Sequence, residues 1–327
     1  MSVKPLLAAL GALAAVLLIP PLVSSGAGDD PGAQVRGLRI LVPNTPGGGY
    51  DITARTAAKA MEDADLTRSI EVFNLPGAGG TVGLGRLVNE AGNDKLVMSM
   101  GLGVVGSVHT NNSPSSLQDT TPIARLIQEP DIIVVSKDSP YQDIDQLIDA
   151  WKADPGAVPV GGGSSPGGPD HLAPMLFAQA IGLAPKNVNY VAYDGGGELL
   201  ASVLGGKIAF GVSGVGEYRD QIESGDLRVL AVTSAERVDG IDAPTLSEAG
   251  VDVEFVNWRG IVAPPGISQN DTDKLVRLFT DLQKTPQWKD ALAKNGWTPA
   301  FLPGKEFGDF LAEENDRVAS VLSELGL

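Results

Sequence analysis

The stretch Val42-Pro43-Asn44-Thr45-Pro46-Gly47-Gly48-Gly49-Tyr50-Asp51 decides how the rest of the chain is read. It follows a short apolar run, Leu38 to Val42, and precedes a segment, Ile52 to Met61, with apolar residues at helical spacing. It therefore reads as the turn between a strand and a helix. Three consecutive glycines let the backbone bend sharply and bring bare N–H groups close to another body. Two readings are open. One is a tight turn in which Asp51 pairs with Arg55 one helical turn on. The other is an anion site, because the first N–H groups of a helix have no internal partner and carry the positive end of its dipole.

Outward from this turn, the same unit recurs. Ile70 to Leu75 reads as a strand, Pro76-Gly77-Ala78-Gly79-Gly80-Thr81 as its turn, and Val82, Leu84, Leu87 and Val88 as the apolar face of a helix. Lys95 to Met100 is a third strand, ending at Gly101 and Gly103. Ile123 to Ile127 and Ile132 to Val135 read as two further strands, and Asp143 with Gln146 as a capped helix start. Ala157 to Val160 enters the longest glycine loop, Gly161 to Asp170, which precedes a helix from His171 to Ile181. Val188 to Tyr193, the turn Asp194-Gly195-Gly196-Gly197, a helix from Glu198, and a strand from Ile208 to Val212 ending at Ser213-Gly214-Val215-Gly216 repeat the pattern. Arg228 to Val232 is another strand; Val251 to Ala263 carries Trp258 and Arg259 between apolar segments, and three helices are expected after Pro264-Pro265-Gly266.

Alternating strands and helices with short turns imply an α/β fold with mainly parallel sheets covered on both faces. The closing helices suggest a return to the first sheet, hence two lobes and two chain crossovers, with residues 37–125 and 251–327 as lobe 1 and 126–250 as lobe 2. In parallel sheets the turns at the carboxyl ends of the strands lie together. Glycine turns near Gly47, Gly77, Gly162 and Gly195 would then face one interlobe cleft, a place for a small ligand.

Composition narrows the classes. The chain has 327 residues and a net charge of −16, which argues against nucleic acid or anionic membrane surfaces as partners. It has no cysteine, which excludes disulfides, thiolate metal sites and thiol nucleophiles. Lys4, the apolar run from Pro5 to Val23 and the small residues Ser25-Gly26-Ala27 have the parts of a secretory signal. Residues 1–27 are expected to be that signal, cut after Ala27, with an uncleaved anchor as the rival; residues 28–36 read as a flexible lead-in.

Enzyme readings find little support. Gly77-Ala78-Gly79 with Gly83 has the spacing GxGxxxG rather than the dinucleotide GxGxxG, and no GxSxG, HExxH or P-loop lysine occurs. Ser164, Asp170 and His171 fall within one loop and helix start, too close in sequence for the converging geometry of a triad. His171 reads better as a helix residue satisfied by backbone, and Trp258 as core. Asp194 could cap its own turn or touch ligand; Arg259 could be a bridging cation or reach the cleft.

The ordered motifs resemble a known family. Pro46-Gly47-Gly48-Gly49-Tyr50-Asp51-Ile52-Thr53-Ala54-Arg55, Asn74 through Gly83, Gly162 through Leu172, Tyr193-Asp194-Gly195-Gly196 and Asn257 through Pro264 are together similar to the solute-binding receptors of tripartite tricarboxylate transporters, also called Bug-type receptors. The resemblance implies a two-lobed Venus flytrap, not an enzyme, that captures a small carboxylated solute outside the cytoplasmic membrane and delivers it to membrane permease subunits. It implies no cofactor and no metal, and a monomer. A receptor signalling to a sensor kinase and, more remotely, a secreted α/β enzyme are the alternatives. In that family a ligand carboxylate is held by the first glycine loop and by the loop before the His-Leu helix. Carried onto this sequence, those loops are Thr45 to Tyr50 and Gly163 to Gly168, with Thr45, Gly48, Gly49, Tyr50, Gly163, Ser164, Ser165, Gly167 and Gly168 as the expected binding residues; Ala78, Gly79, Asp194 and Arg259 are further candidates from the other motifs. Two departures bear on the ligand. Asp194 stands where the family often has a basic or neutral residue and would repel a second carboxylate, favouring an amino, hydroxy or aromatic monoacid. Arg259 stands where the family commonly has an uncharged residue and would attract a second carboxylate.

Overall fold

The computed structural model describes Met1 and residues 35–326. The expected signal segment, apart from Met1, lies outside the described residues. Of the expected lead-in only its end is described: Val35 is buried and Arg36 bridges to Arg68.

The opening turn joins β1 (Arg39–Val42) to α1 (Gly49–Asp63), and the strand-turn-helix unit repeats through β2 (Glu71–Asn74), α2 (Thr81–Val88) and β3 (Leu96–Gly101). These three strands pair in parallel in the order β2-β1-β3. A helix not anticipated from the sequence, α3 (Leu102–Thr110), follows β3 directly. Its two glycines and β-branched residues are weak helix formers; burial of Leu102 through Ser107 holds it in place.

β4 (Thr121–Ser136) is one strand of 16 residues where the sequence suggested two. Its first part pairs antiparallel with β9 (Val256–Ala263), ending at Pro130 opposite Val256. From Asp131 onward its partners are β7 (Phe210–Gly214) and β8 (Leu227–Val232), again antiparallel. A proline has no N–H to give a ladder, so Pro130 is a natural point for the strand to change partners. The chain returns beside it between β8 and β9, where Thr233 receives the Asp131 N–H at 2.9 Å and donates to the Phe255 carbonyl at 2.8 Å. The two crossings are thus tied together.

The second set of parallel pairs is β6 (Tyr190–Ala192), β5 (Val160–Gly162) and β7. Helices α4 (Ile144–Ala153), α5 (Pro169–Ala180), α6 (Gly196–Leu204) and α7 (Val215–Glu223) cover it. Trp151 anchors this core, with its ring 5.3 Å from Phe177 and 5.0 Å from Phe210. The parallel arrangement read from the sequence describes β2-β1-β3 and β6-β5-β7, while β9 and β4 between them pair antiparallel with their neighbours.

After β9 come α8 (Gln269–Leu282), α9 (Pro286–Asn295) and α10 (Gly304–Leu325), with their expected caps: Ser268 accepts from the Asp271 N–H and Thr285 from the Trp288 N–H, with Pro286 at the first helical position. Between α9 and α10 lies a strand the sequence hid, β10 (Thr298–Pro303), on the antiparallel edge of β4. Its Pro299 and Pro303 have no N–H to give a ladder, and an edge strand is where prolines are tolerated. α10 lays Phe307, Leu311, Val318 and Leu322 against the core. Trp258 joins them, its ring edge-on to Phe310 at 5.1 Å and its Nε1 donating to Glu314 at 2.8 Å. Its core reading holds. Among the described residues, no helix is long and apolar enough to cross a membrane.

Candidate functional site

The turns after β1, β2, β5 and β6 meet at one cleft of about 660 Å³, mouth included, together with the start of α7 and the middle of β9. Of the residues expected from the sequence, Gly48, Gly49, Tyr50, Gly79, Gly163, Ser164, Ser165, Gly168, Asp194 and Arg259 line it. Thr45, Ala78 and Gly167 are not among the lining residues. Thr45 instead bridges the cleft, its hydroxyl donating to the Asp194 carbonyl at 2.7 Å. The Ala78 carbonyl accepts from Asn111 Nδ2 at 3.0 Å. The Gly167 N–H donates to His171 Nδ1 at 3.2 Å, so His171 is satisfied by backbone, and burial pushes its pKa down to about 4.

The first glycine loop is fixed from below. Asp51 accepts from the Gly47 N–H at 3.0 Å, from Arg55 Nε at 2.9 Å and from Asn74 Nδ2 at 2.9 Å. Burial alone would raise the Asp51 pKa; these hydrogen bonds outweigh it and hold the carboxyl below the usual range. The sequence-based Asp51–Arg55 pair is therefore present, and it serves to stiffen the loop. What faces the top of the loop comes from elsewhere in the chain. A Cβ on Gly49 would fall on the guanidinium of Arg259, so only glycine lets the backbone come this close.

Arg259 is 2% exposed. Its Nη2 pairs with Glu129, itself fully buried, and lies 3.9 Å from Glu217 on α7. Its Nη1 reaches Thr53 Oγ1 at 3.4 Å. Glu217 sits between two helix starts: the Gly49 N–H of α1 stabilises its charged form, and a Cβ on Gly196 of α6 would fall on its carboxylate. Burial, then the charge of Asp170, push the Glu217 pKa up to about 8 against the pull of Arg259. Asp131, beneath the floor, is raised by burial and then by the charges of Asp170 and Glu129.

The second glycine loop is held by its own neighbourhood. The Gly163 N–H donates to Asp170 Oδ2 at 2.7 Å, the Asp170 N–H to Ser164 Oγ at 3.1 Å, and the Tyr190 hydroxyl to the Ser164 carbonyl at 2.7 Å. Burial raises Asp170 to about 6 even so. Ser164, Asp170 and His171 are thus spent on loop structure and are not aligned as a triad. Beside this loop a Cβ on Gly79 would meet Ser107 Oγ, a buried hydroxyl with no partner among the described residues.

A sequence model described as "Tripartite tricarboxylate transporter family receptor" matches residues 53–327. The chain belongs to this receptor family. BugT of Bordetella pertussis is 29% identical over 298 residues, covering 89% of this chain and 90% of BugT. Among solved structures, an R. palustris protein with adipate superposes with a TM-score of 0.81 at 23% identity, covering 89% of this chain and 98% of that one. MatC from Rhodopseudomonas palustris with bound malate gives 0.77 at 21% identity, covering 88% and 99%. These likenesses show the two-lobed periplasmic-binding-protein fold.

For this family member the sequence reading missed Glu217, Glu129, Asn257 and Ser107. Two of these carry a signal. Glu217 follows Ser213-Gly214-Val215-Gly216, a fifth glycine turn at a strand end, and so belongs with the other four. Asn257 stands two residues from Arg259 on one strand and so shares its face. Glu129 and Ser107 carry none, since their position depends on the change of partner in β4 and on an unforeseen helix.

Proposed function

We propose that this receptor captures a small carboxylate-bearing solute in the cleft and hands it to a tripartite tricarboxylate-type permease. The observation that carries the reading is the convergence of glycine-rich helix starts from both sheet halves, with Arg259, on one cleft. Helix starts favour anions, and the hydroxyls of Ser107, Ser164 and Ser165 add donors. Adipate and malate in two structural relatives agree with an organic acid. Residues 37–125 with 251–327 would move as one lobe and 126–250 as the other, closing about the strands tied by Thr233. Solute touching both lobes would favour the closed form. No covalent step is involved. The protein would act outside the cytoplasmic membrane as a monomer, after removal of residues 1–27.

A thermal-shift panel of organic acids, amines and neutral sugars tests this. Solutes that bear a carboxylate should raise the melting temperature, while sugars and simple amines leave it unchanged. Stabilisation by sugars with carboxylates inert would overturn the reading.

A further inference from the structure

The charge around the cleft is lopsided. Among the described residues, its lining holds three acids, Asp170, Asp194 and Glu217, and a single cation, Arg259. Glu129 and Asp131 add two fully buried acids behind it. Arg259 is already committed to Glu129, and at 3.9 Å Glu217 is beyond hydrogen-bond distance from it. A solute carrying only carboxylates would bring more negative charge to this end.

The unpartnered atoms point the same way. Asn257 lines the cleft, is 4% exposed, and its Oδ1 has no donor among the described residues. Glu129 Oε2 is likewise buried without a donor. A buried acceptor left unpaired costs about 1–3 kcal/mol, and an ammonium supplies three donors and no acceptor. The hydroxyl of Ser107, next to Gly79 and Ser165, can donate to a carboxylate. The cleft thus offers an acceptor set around Glu217 and Asn257 and a hydroxyl set around Ser107.

We propose that the captured solute is an amino-substituted carboxylate, and that Glu217 with Asn257 receives its ammonium while the Ser107 side receives its carboxylate. This deepens the carboxylate reading above and rests on it. Around Glu217 stand Arg259 of β9, Glu129 of β4, Asp170 of α5 and the Gly49 N–H of α1. Burial holds the Glu217 pKa up at about 8, so Glu217 carries a proton at neutral pH. An arriving ammonium lowers that pKa and releases the proton; a second carboxylate raises it and retains the proton.

The test is calorimetric titration of the mature receptor with a six-carbon series: hexanoate, adipate, 6-aminohexanoate, 2-aminohexanoate and hexylamine. At least one of the two amino acids should bind tenfold or more tightly than adipate or hexanoate. Titrations in buffers of different ionisation enthalpy should show proton release near pH 7. Glu217→Gln should weaken amino-acid binding at least tenfold and leave adipate affinity unchanged, a loss confined to one class of ligand that loss of fold cannot produce; the proton count needs only the native chain. Adipate equal to or tighter than both amino acids, or a preference unchanged in Glu217→Gln, overturns the proposal. Binding of adipate or hexanoate without either amino acid defeats this inference alone. Binding of hexylamine alone, or of nothing in the series, defeats the carboxylate reading with it.

Discussion

The two glycine loops that flank the cleft look alike in sequence, Gly47-Gly48-Gly49 and Gly161-Gly162-Gly163, yet the fold uses them differently. The second is stitched by its own helix and the adjacent strand, through Asp170 and Tyr190. The first is pinned below by Asp51 and Asn74, but its upper face is met by Arg259 of β9 and Glu217 of α7. The second loop is thus held mostly by its own helix and strand, with Thr110 of α3 reaching the Pro166 carbonyl at 3.2 Å, whereas the first is completed by a charge network assembled when distant strands come together.

The largest effect should follow from removing the cation. Arg259→Ala leaves Glu129 buried without its partner, which costs about 3–5 kcal/mol, read from the midpoint of chemical denaturation. A loss below about 1 kcal/mol would mean that the network contributes little to the fold.

Gly49→Val and Gly168→Val separate the loops next. A side chain at Gly49 meets Arg259 from another element, whereas one at Gly168 meets Ser164 and the Ser165 carbonyl of its own loop. Gly49→Val should abolish the solute-induced rise in melting temperature while lowering the stability of the empty protein less. Gly168→Val should lower the empty protein's stability by about 1–3 kcal/mol through overpacking. Equal losses of both quantities in Gly49→Val would return the first loop to a purely structural turn.

The smallest effect is a pH slope. Glu217 has a folded pKa near 8, so between its unfolded value and pH 8 the folded chain holds a proton that the unfolded chain has lost. Stability from this group therefore falls as pH rises. Asp170, raised to about 6, acts in the same direction at lower pH. His171, lowered from 6.5 to about 4, opposes it there, because its contribution is lost as pH falls through that window. Above pH 6.5 the Glu217 slope should emerge from this pair, and Glu217→Gln should flatten it. An unchanged slope in the variant would assign the titration to Asp131 instead.

The strand-turn-helix units and their glycine turns were legible because local periodicity and turn chemistry set them. The loop residues at Gly48, Gly49, Gly163 and Ser164 came with them. Arg259 reached the cleft, one of the two roles its sequence context left open. The acids around it were not legible. Glu129 lies behind the cleft, against Arg259, only because β4 continues through Pro130 into the other half of the sheet, a fact of long-range pairing. Ser107 depends on α3, whose sequence is a poor helix former held by burial. β10 was hidden by its prolines, which only an edge position makes acceptable.

Capture of solute between these two loops is checked by a crystal structure of the receptor with whichever member of the six-carbon series binds most tightly. Density is expected inside the cleft, with the solute carboxylate beside Ser107 and Ser165 and its far end against Glu217 and Asn257. Density outside the cleft, for example in the surface groove between Tyr141 and Lys207, would contradict it.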